Sequence, residues 1–217
     1  MSAAERLLHA ARALLPADVG CAVVPIGEGR LLAEEAQALA RAVPRRQAEF
    51  ATGRLALRRA ISEAGFDLPE DRPILPRSDR RPDLPDGLAV SLAHAGDLCI
   101  ALASTRPGLL LGLDIEPMDA PRPEGFVDTI QPFRFRGAGD ALAAFCAKEA
   151  LYKRQYPVTG RMLEFSDLAL VLSTDGRFRA CVAGVGSMQG QWLEVSGYYL
   201  AISIGSVATA ERWPWGQ

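Results

Sequence analysis

The sequence predicts an α+β protein of two similar halves, residues 1–110 and 111–217, related by a pseudo-twofold. Three observations lead there. At 217 residues the chain is long enough for one large domain or two small halves around a sizeable core. Its 49% apolar and 23% charged residues are those of an ordinary globular protein. The order of elements also partly repeats, each half reading as a long helix followed by β-hairpins. A cleft between the halves is then the natural place for a ligand.

The elements follow in order. "MSAAERLLHAARALLP" is an amphipathic first helix whose Glu5, Arg6, His9 and Arg12 interrupt any signal-peptide or membrane-spanning run. "GCAVVPI" is a short buried strand, and "AEEAQALARAV" a helix that stops before Pro44. Pro44 suits the first turn of the next helix, "RRQAEFATGRLALRRAISEAG", which Gly65 ends. A loop rich in Pro, Asp and Arg covers residues 67–87. "LAVSLAH" and "LCIALAS", joined by Ala95, Gly96 and Asp97, form a hairpin, and "LLLGLDIE" is a third strand. Residues 117–139, with four prolines, read as an irregular connection. A helix from Asp140 to Arg154 follows, then strands at "DLALVL" and "FRACVA" and a pair at "QWLEVSG" and "YLAISIGSVA".

Composition narrows the function. The net charge is −2 and the arginines are scattered, which argues against a nucleic-acid partner. No run is apolar enough for a membrane. Cys21, Cys99, Cys146 and Cys181 are far apart, against a zinc cluster or disulfide framework. A cytoplasmic, monomeric protein is expected.

Only two of the 24 basic residues are lysines, Lys148 and Lys153, and both lie in "FCAKEALYK". Lysine is a compact, mobile point charge, whereas arginine is a fixed planar fork. On a helical wheel Phe145, Lys148, Glu149, Tyr152 and Lys153 share one face, and Ala143, Ala144, Ala147, Ala150 and Leu151 form a small apolar back. Upstream, the strand "GLDIEP" turns Asp114 and Glu116 to one side. An Asp-x-Glu strand end alone also fits a solvated face, and Glu149 with Lys153 alone fits an ordinary i,i+4 pair. Together, three carboxylates with few other donors suit Mg²⁺, a hard cation that shares its oxygen ligands with phosphates. Lysines beside such a site suit phosphate oxygens and developing negative charge, so phosphoryl transfer is the chemistry implied.

"GLDIEP" followed by "FCAKEALYK" resembles the paired signature of the 4′-phosphopantetheinyl transferases, G-[IV]-D-x-E and [FW]-[SC]-x-K-E-[AS]-x-x-K. "RRQAEFATGRLALRRA", "RRPDLP" and "SLAH" are similar to segments of the single-chain branch typified by the enterobactin-synthetase and surfactin enzymes, so the resemblance runs from about residue 40 to 205. It implies Mg²⁺-dependent transfer of the 4′-phosphopantetheine arm of coenzyme A to a serine of an acyl or peptidyl carrier protein, releasing adenosine 3′,5′-bisphosphate. By motif, Asp114, Glu116 and Glu149 hold Mg²⁺, and Glu149 also helps deprotonate the serine. Lys148 and Lys153 bind phosphate oxygens, and Arg46, Arg54, Arg80 and His94 bind CoA. The N-terminal half thus contributes to CoA binding, and the C-terminal half carries the Mg²⁺-binding strand and the Lys-Glu helix. Gly53, in mid-helix, calls for a backbone or nucleotide close by, since a glycine there costs about 1 kcal/mol relative to alanine.

The sequence also departs from the family pattern. Ala93 stands where a hydroxyl residue normally precedes the histidine, so one hydrogen bond to the 3′-phosphate of CoA is missing or made elsewhere. Leu84 replaces a frequent tryptophan and Cys146 a commoner serine, and residues 117–139 are short for a segment that shapes the carrier-protein surface in relatives. The rival readings are a catalytically weak homologue that binds CoA or a carrier protein and a different Mg²⁺-dependent phosphohydrolase. A serine hydrolase lacks its G-x-S-x-G elbow.

Overall fold

A computed structural model describes residues 1–137, 139–182 and 184–206 of the chain. They form a mixed α+β structure with two sheets and five α-helices, in two compact units, Met1–Pro107 and Gly108–Gln217.

The first unit opens with α1 (Ala3–Ala13). Ser2 caps it: the Ser2 hydroxyl accepts from the Glu5 amide at 3.1 Å, and the Glu5 carboxylate accepts from the Ser2 amide at 2.6 Å. β1 (Gly20–Pro25) and the short α2 (Ala33–Ala38) lead to α3 (Pro44–Glu63). Pro44 occupies the first turn, and the chain leaves through Gly65 at φ +79°, with Phe66 N bonded to Ile61 O and Gly65 N to Ser62 O. β2 (Ala89–Ala95) and β3 (Leu98–Ser104) make the expected hairpin, turning at Gly96 and Asp97, and the sheet order is β1-β3-β2. Ala56, Leu57, Ala60 and Ile61 of α3 pack on Ala22, Val24, Cys99, Ala101 and Ala103, with Ile74 and Leu84 closing the same core. Leu84 is therefore a core residue.

The second unit has a six-stranded sheet of order β4-β9-β8-β7-β6-β5. Its strands are β4 (Leu109–Pro117), β5 (Phe133–Arg136), β6 (Leu168–Ser173), β7 (Arg177–Val182), β8 (Gly186–Val195) and β9 (Tyr198–Ser206). Between β4 and β5 lies a single helical turn, α4 (Phe126–Thr129). Residues 117–139 are thus not wholly irregular. β5 pairs parallel with β6, its Phe133 and Phe135 turned to the core and Arg134 and Arg136 to solvent, an alternation that the prolines around it mask. Ala183, Val207 and Ala208 of the expected strands lie outside the described residues.

α5 (Ala141–Thr159) begins at Asp140, whose carboxylate accepts from the Leu142 amide at 2.8 Å, and ends at Gly160 with φ +62°. It runs five residues past the expected end at Arg154, through Pro157. A proline this near the C-terminus removes one intrahelical bond and leaves the helix standing. Ala143, Ala144, Ala147, Ala150 and Leu151 are all buried against Leu168, Leu170, Leu172, Phe178, Ala180 and Ala201, as the wheel predicts. Among the described residues no helix is long and apolar enough to cross a membrane, and none of the four cysteines is in a disulfide.

Candidate active site

β4 and α5 meet at Gly112. A Cβ there would lie 1.9 Å from the carbonyl oxygen of Ala150 and 2.7 Å from the amide of Arg154, so only glycine lets strand and helix come this close. Two residues on, on the same strand face, is Asp114, which is 6% exposed. Its Oδ1 accepts a 2.6 Å hydrogen bond from Nζ of Lys153, one turn beyond Glu149 on α5. Its Oδ2 is buried and has no hydrogen-bond partner.

Burial lifts the Asp114 carboxyl above the usual carboxylate range although the Lys153 ammonium pulls the other way. Glu116 is pushed up to about 7, first by burial, then by the negative charges of Asp114 and Glu149. Glu149 is raised by burial and by Asp114. At Lys153 burial opposes the charge, but Asp114 and Glu149 outweigh it and hold the ammonium above its ordinary value. The three carboxylates thus feel one another and share one lysine.

An orphaned buried oxygen among mutually repelling carboxylates fits a hard divalent cation. The buried Cys146 thiol beside Asp114 has its pKa raised well above the ordinary value, first by burial and then by Asp114 and Glu116, so it stays protonated and leaves the carboxylate oxygens as the donors. Among the described residues, however, no three His, Cys, Asp or Glu side chains are gathered closely enough to hold a metal ion as they stand. Asp114, Glu116 and Glu149 are in electrostatic range of one another without being assembled as a ligand set.

Lys148 departs from the expected face. Phe145, Glu149, Tyr152 and Lys153 are partly exposed, but Lys148 is fully buried, 0% exposed, and its Nζ donates to the carbonyl oxygen of Phe165 at 2.7 Å. Burial lowers its pKa to about 8. The wheel places residue 148 at the border of face and back, and the segment after α5 closes over it. Cys146, also buried, lies with its sulfur 3.7 Å from the Tyr199 carbonyl.

In the first unit, Arg46 NH1 lies 3.2 Å from His94 Nε2. Arginine only donates, so in this contact the ring nitrogen can act only as an acceptor. Glu49 sits beside both, 3.4 Å from Arg46 and 3.9 Å from His94, and also pairs with Arg45 at 3.2 Å. Arg54 is buried, its Nε donating to the Ile74 carbonyl at 2.6 Å and its guanidinium 3.7 Å above the Phe50 ring. Burial lowers its pKa to about 10. At Gly53 the nearest protein atoms are side-chain atoms and not another backbone: an added Cβ would lie 3.2 Å from Cδ2 of Leu92 and 3.9 Å from Sγ of Cys99. Arg80 is exposed in a turn at φ +69°, an uncommon conformation for a side chain of its size.

Ala93 is 4% exposed and, as the neighbour of His94 along β2, points to the opposite sheet face. Leu92 and His94 face α3, and Ser91 and Ala93 face away from it. A hydroxyl at 93 would therefore be separated from the Arg46–His94 pair by the sheet itself. Sequence reasoning missed Glu49 and Phe50, though Glu49 stands three residues after Arg46 on one helix face. It also missed the buried Glu35, which accepts from the Ile74 amide at 2.8 Å and ties α2 to the 67–87 loop, and for which no periodic signal exists.

Residues 34–104 match the 4′-phosphopantetheinyl transferase N-terminal domain, a segment from α2 to the end of β3 that stops short of Asp114 and α5. Relatives extend the likeness over most of the chain's length. The 4′-phosphopantetheinyl transferase Svp of Streptomyces mobaraensis is 34% identical over 206 residues, 84% of this chain and 82% of Svp. PptT of Mycobacterium tuberculosis is 35% identical over 68% of this chain and 70% of its own, and Npt of Nocardia iowensis 30% identical over 76% and 85%. The chain belongs to the 4′-phosphopantetheinyl transferase family, and it is an enzyme.

Proposed function

We propose that the protein transfers the 4′-phosphopantetheine arm of coenzyme A to a serine of an acyl or peptidyl carrier protein, as single-chain enzymes of the enterobactin-synthetase and surfactin type do, with Mg²⁺ as cofactor. The observation that carries this reading is the buried, unpartnered Oδ2 of Asp114 beside Lys153, with Glu116 and Glu149 in range. Asp114, Glu116 and Glu149 are the residues that would hold Mg²⁺. When bound, the cation would neutralise charge on the CoA pyrophosphate.

The chain's own residues supply the rest. Glu149, in electrostatic range of Asp114 on the face of α5 that carries Lys153, is the carboxylate assigned to take the proton from the serine hydroxyl, directly or through water. The serine oxygen then bonds to the phosphorus that bears the pantetheine arm, and the bond to the bridging oxygen breaks. That oxygen leaves with its electron pair as adenosine 3′,5′-bisphosphate. Lys153 balances the negative charge on the phosphate oxygens as this happens. Lys148 donates a hydrogen bond to Phe165 O and holds the segment after α5 in place; because its side chain is fully buried, it reaches a phosphate oxygen only if that segment moves. In the first unit, Arg46 and His94 are assigned to the 3′-phosphate, and Arg54 and Arg80 to the remaining charge of the nucleotide.

The test is to incubate the protein with Mg²⁺, CoA and a panel of apo carrier proteins and to weigh the carriers. A carrier heavier by one phosphopantetheine arm, only when Mg²⁺ is present, is the expected result. CoA consumed without any carrier would make the protein a phosphohydrolase instead, and no reaction at all would make it a binding homologue.

A further inference from the structure

Lys153 occupies Oδ1 of Asp114 at 2.6 Å while the other oxygen of the same carboxylate is bare, and among the described residues no three acidic groups are close enough to take a metal ion. We propose that Lys153 is an ion-pair latch. In the protein without ligands its ammonium holds Asp114 in the place of a divalent cation, and a diphosphate-bearing ligand opens the site by drawing that ammonium onto its own oxygens. This rests on the reading of Asp114 as a metal ligand, and it adds an order of assembly: the diphosphate comes with the metal or before it.

The argument is one of charge inside a nearly closed space. The side chain of Asp114 is 8% exposed and that of Lys153 28%. A metal ion arriving alone would take Asp114 from Lys153 and leave an ammonium stranded beside a divalent cation, with little water to receive it. A diphosphate arriving alone would share Lys153 with Asp114 and face three carboxylates. When both arrive, every charge finds a partner of opposite sign. Each ligand then raises the affinity of the other by the same factor. The residue type matters as well. Lysine is a point charge on a flexible stem and can let go, whereas an arginine fork at 153 would grip both Asp114 oxygens, including the one now bare.

The chain's two lysines make the latch directly visible. Protein labelled with carbon-13 at the lysine ε position gives two resonances, and Lys153→Gln identifies one of them. In the wild type, Mg²⁺ alone should bind weakly and leave the Lys153 signal in place. CoA should move it, and calorimetry should show CoA raising Mg²⁺ affinity on the order of 10-fold or more, after correction for Mg²⁺ bound by free CoA. Lys153→Gln should bind Mg²⁺ alone about 10-fold more tightly than the wild type, and Lys153→Arg, with the same charge, more weakly. Tight binding of Mg²⁺ alone to the wild type, with a Lys153 signal that CoA does not move, would overturn the latch. Should Lys153→Gln not fold, Lys148→Met leaves Lys153 as the single labelled lysine, and the response of that signal to Mg²⁺ and to CoA decides. A protein that loads a carrier without these shifts keeps its function and loses the latch. One that shows the shifts and loads no carrier keeps the latch and loses the proposed function.

Discussion

In each unit a strand enters, a long helix crosses it, and an antiparallel run of strands returns to pair with the first: β3 lies against β1, and β9 against β4. The crossing point repeats in atomic detail. Gly20 of β1 would place a Cβ 2.0 Å from Ala60 O and 2.7 Å from Ala64 N of α3, and Gly112 of β4 would place one 1.9 Å from Ala150 O and 2.7 Å from Arg154 N of α5. Counted from these points, Asp114 answers to Ala22, Glu149 to Arg59 and Lys148 to Arg58. The same frame carries an apolar strand in one unit and a carboxylate strand in the other. What sets the candidate metal site apart is therefore residue choice on a repeated scaffold and not the scaffold itself.

The largest expected effect breaks the comparison where it is sharpest. Glu149→Gln keeps shape and removes one negative charge from a set that repels itself, so the fold should survive with its melting temperature unchanged or higher. Transfer to a carrier should fall on the order of 1,000-fold, measured as arm incorporated per unit time. The equivalent change in the first unit, Arg59→Gln, should leave the rate within about 2-fold, because Arg59 makes only an exposed 3.8 Å pair with Glu28. Near-normal turnover of Glu149→Gln would remove that residue from the site.

A second pair of variants tests the repeat itself. Gly20→Ala and Gly112→Ala each drive a methyl group into helix backbone, which cannot move aside as a flexible side chain could. Each should cost about 1–3 kcal/mol, or more, in chemical denaturation. A large loss at one and none at the other would mean that the two crossings are not equivalent.

Much of this was legible in the sequence, for reasons that differ by residue. The β2–β3 turn was readable because Gly96 and Asp97 carry their own turn chemistry, and the back of α5 because five small or apolar residues recur at helical spacing. Asp114, Glu116 and Glu149 stood out because their types and spacing are unusual together, and the structure puts them in electrostatic range of one another without gathering them as a ligand set. The burial of Lys148 was not readable, since it depends on where the chain goes after α5 and on the Phe165 carbonyl, a backbone atom that no residue type announces. The orientation of Ala93 follows from strand alternation, but its meaning depends on which sheet face α3 covers.

Lys148 and Arg58 offer a smaller contrast. Each reaches a carbonyl of the segment following its helix, Lys148 that of Phe165 and Arg58 those of Pro69 and Arg72. Burial brings the lysine into an accessible range. With its folded pKa near 8 and its usual value at 10.5, the folded protein holds fewer protons than the unfolded chain between those pH values, so this group makes stability rise with pH there. The unfolding free energy of wild type minus that of Lys148→Met should accordingly grow from pH 8 to 10.5, as the buried charge is lost. A flat profile for Lys148 would show that its ammonium is not held at a cost.

The smallest effect is expected at Ala93, where the family pattern would suggest a larger one. A hydroxyl bonded to a charged phosphate can be worth about 1.5–3 kcal/mol, so a serine restored here would be expected to sharpen the preference for CoA over dephospho-CoA. The geometry argues otherwise. Ala93 is 4% exposed and shares its sheet face with Ser91, whereas His94 reaches across the other face to Arg46 at 3.2 Å. A hydroxyl at 93 would be buried on the side away from that pair, and a buried hydroxyl must find a bond locally or destabilise the strand. Ala93→Ser should therefore leave the ratio of CoA to dephospho-CoA affinity within about 2-fold of wild type, while His94→Ala, which removes a group able to contact the phosphate, should narrow it by about 10-fold or more. Titration of the three proteins with both ligands measures this directly. If Ala93→Ser widened the ratio as strongly as His94→Ala narrows it, the phosphate would be reading the end of β2 from both faces, and the first unit would bind it with the strand tip instead of with the Arg46–His94 pair.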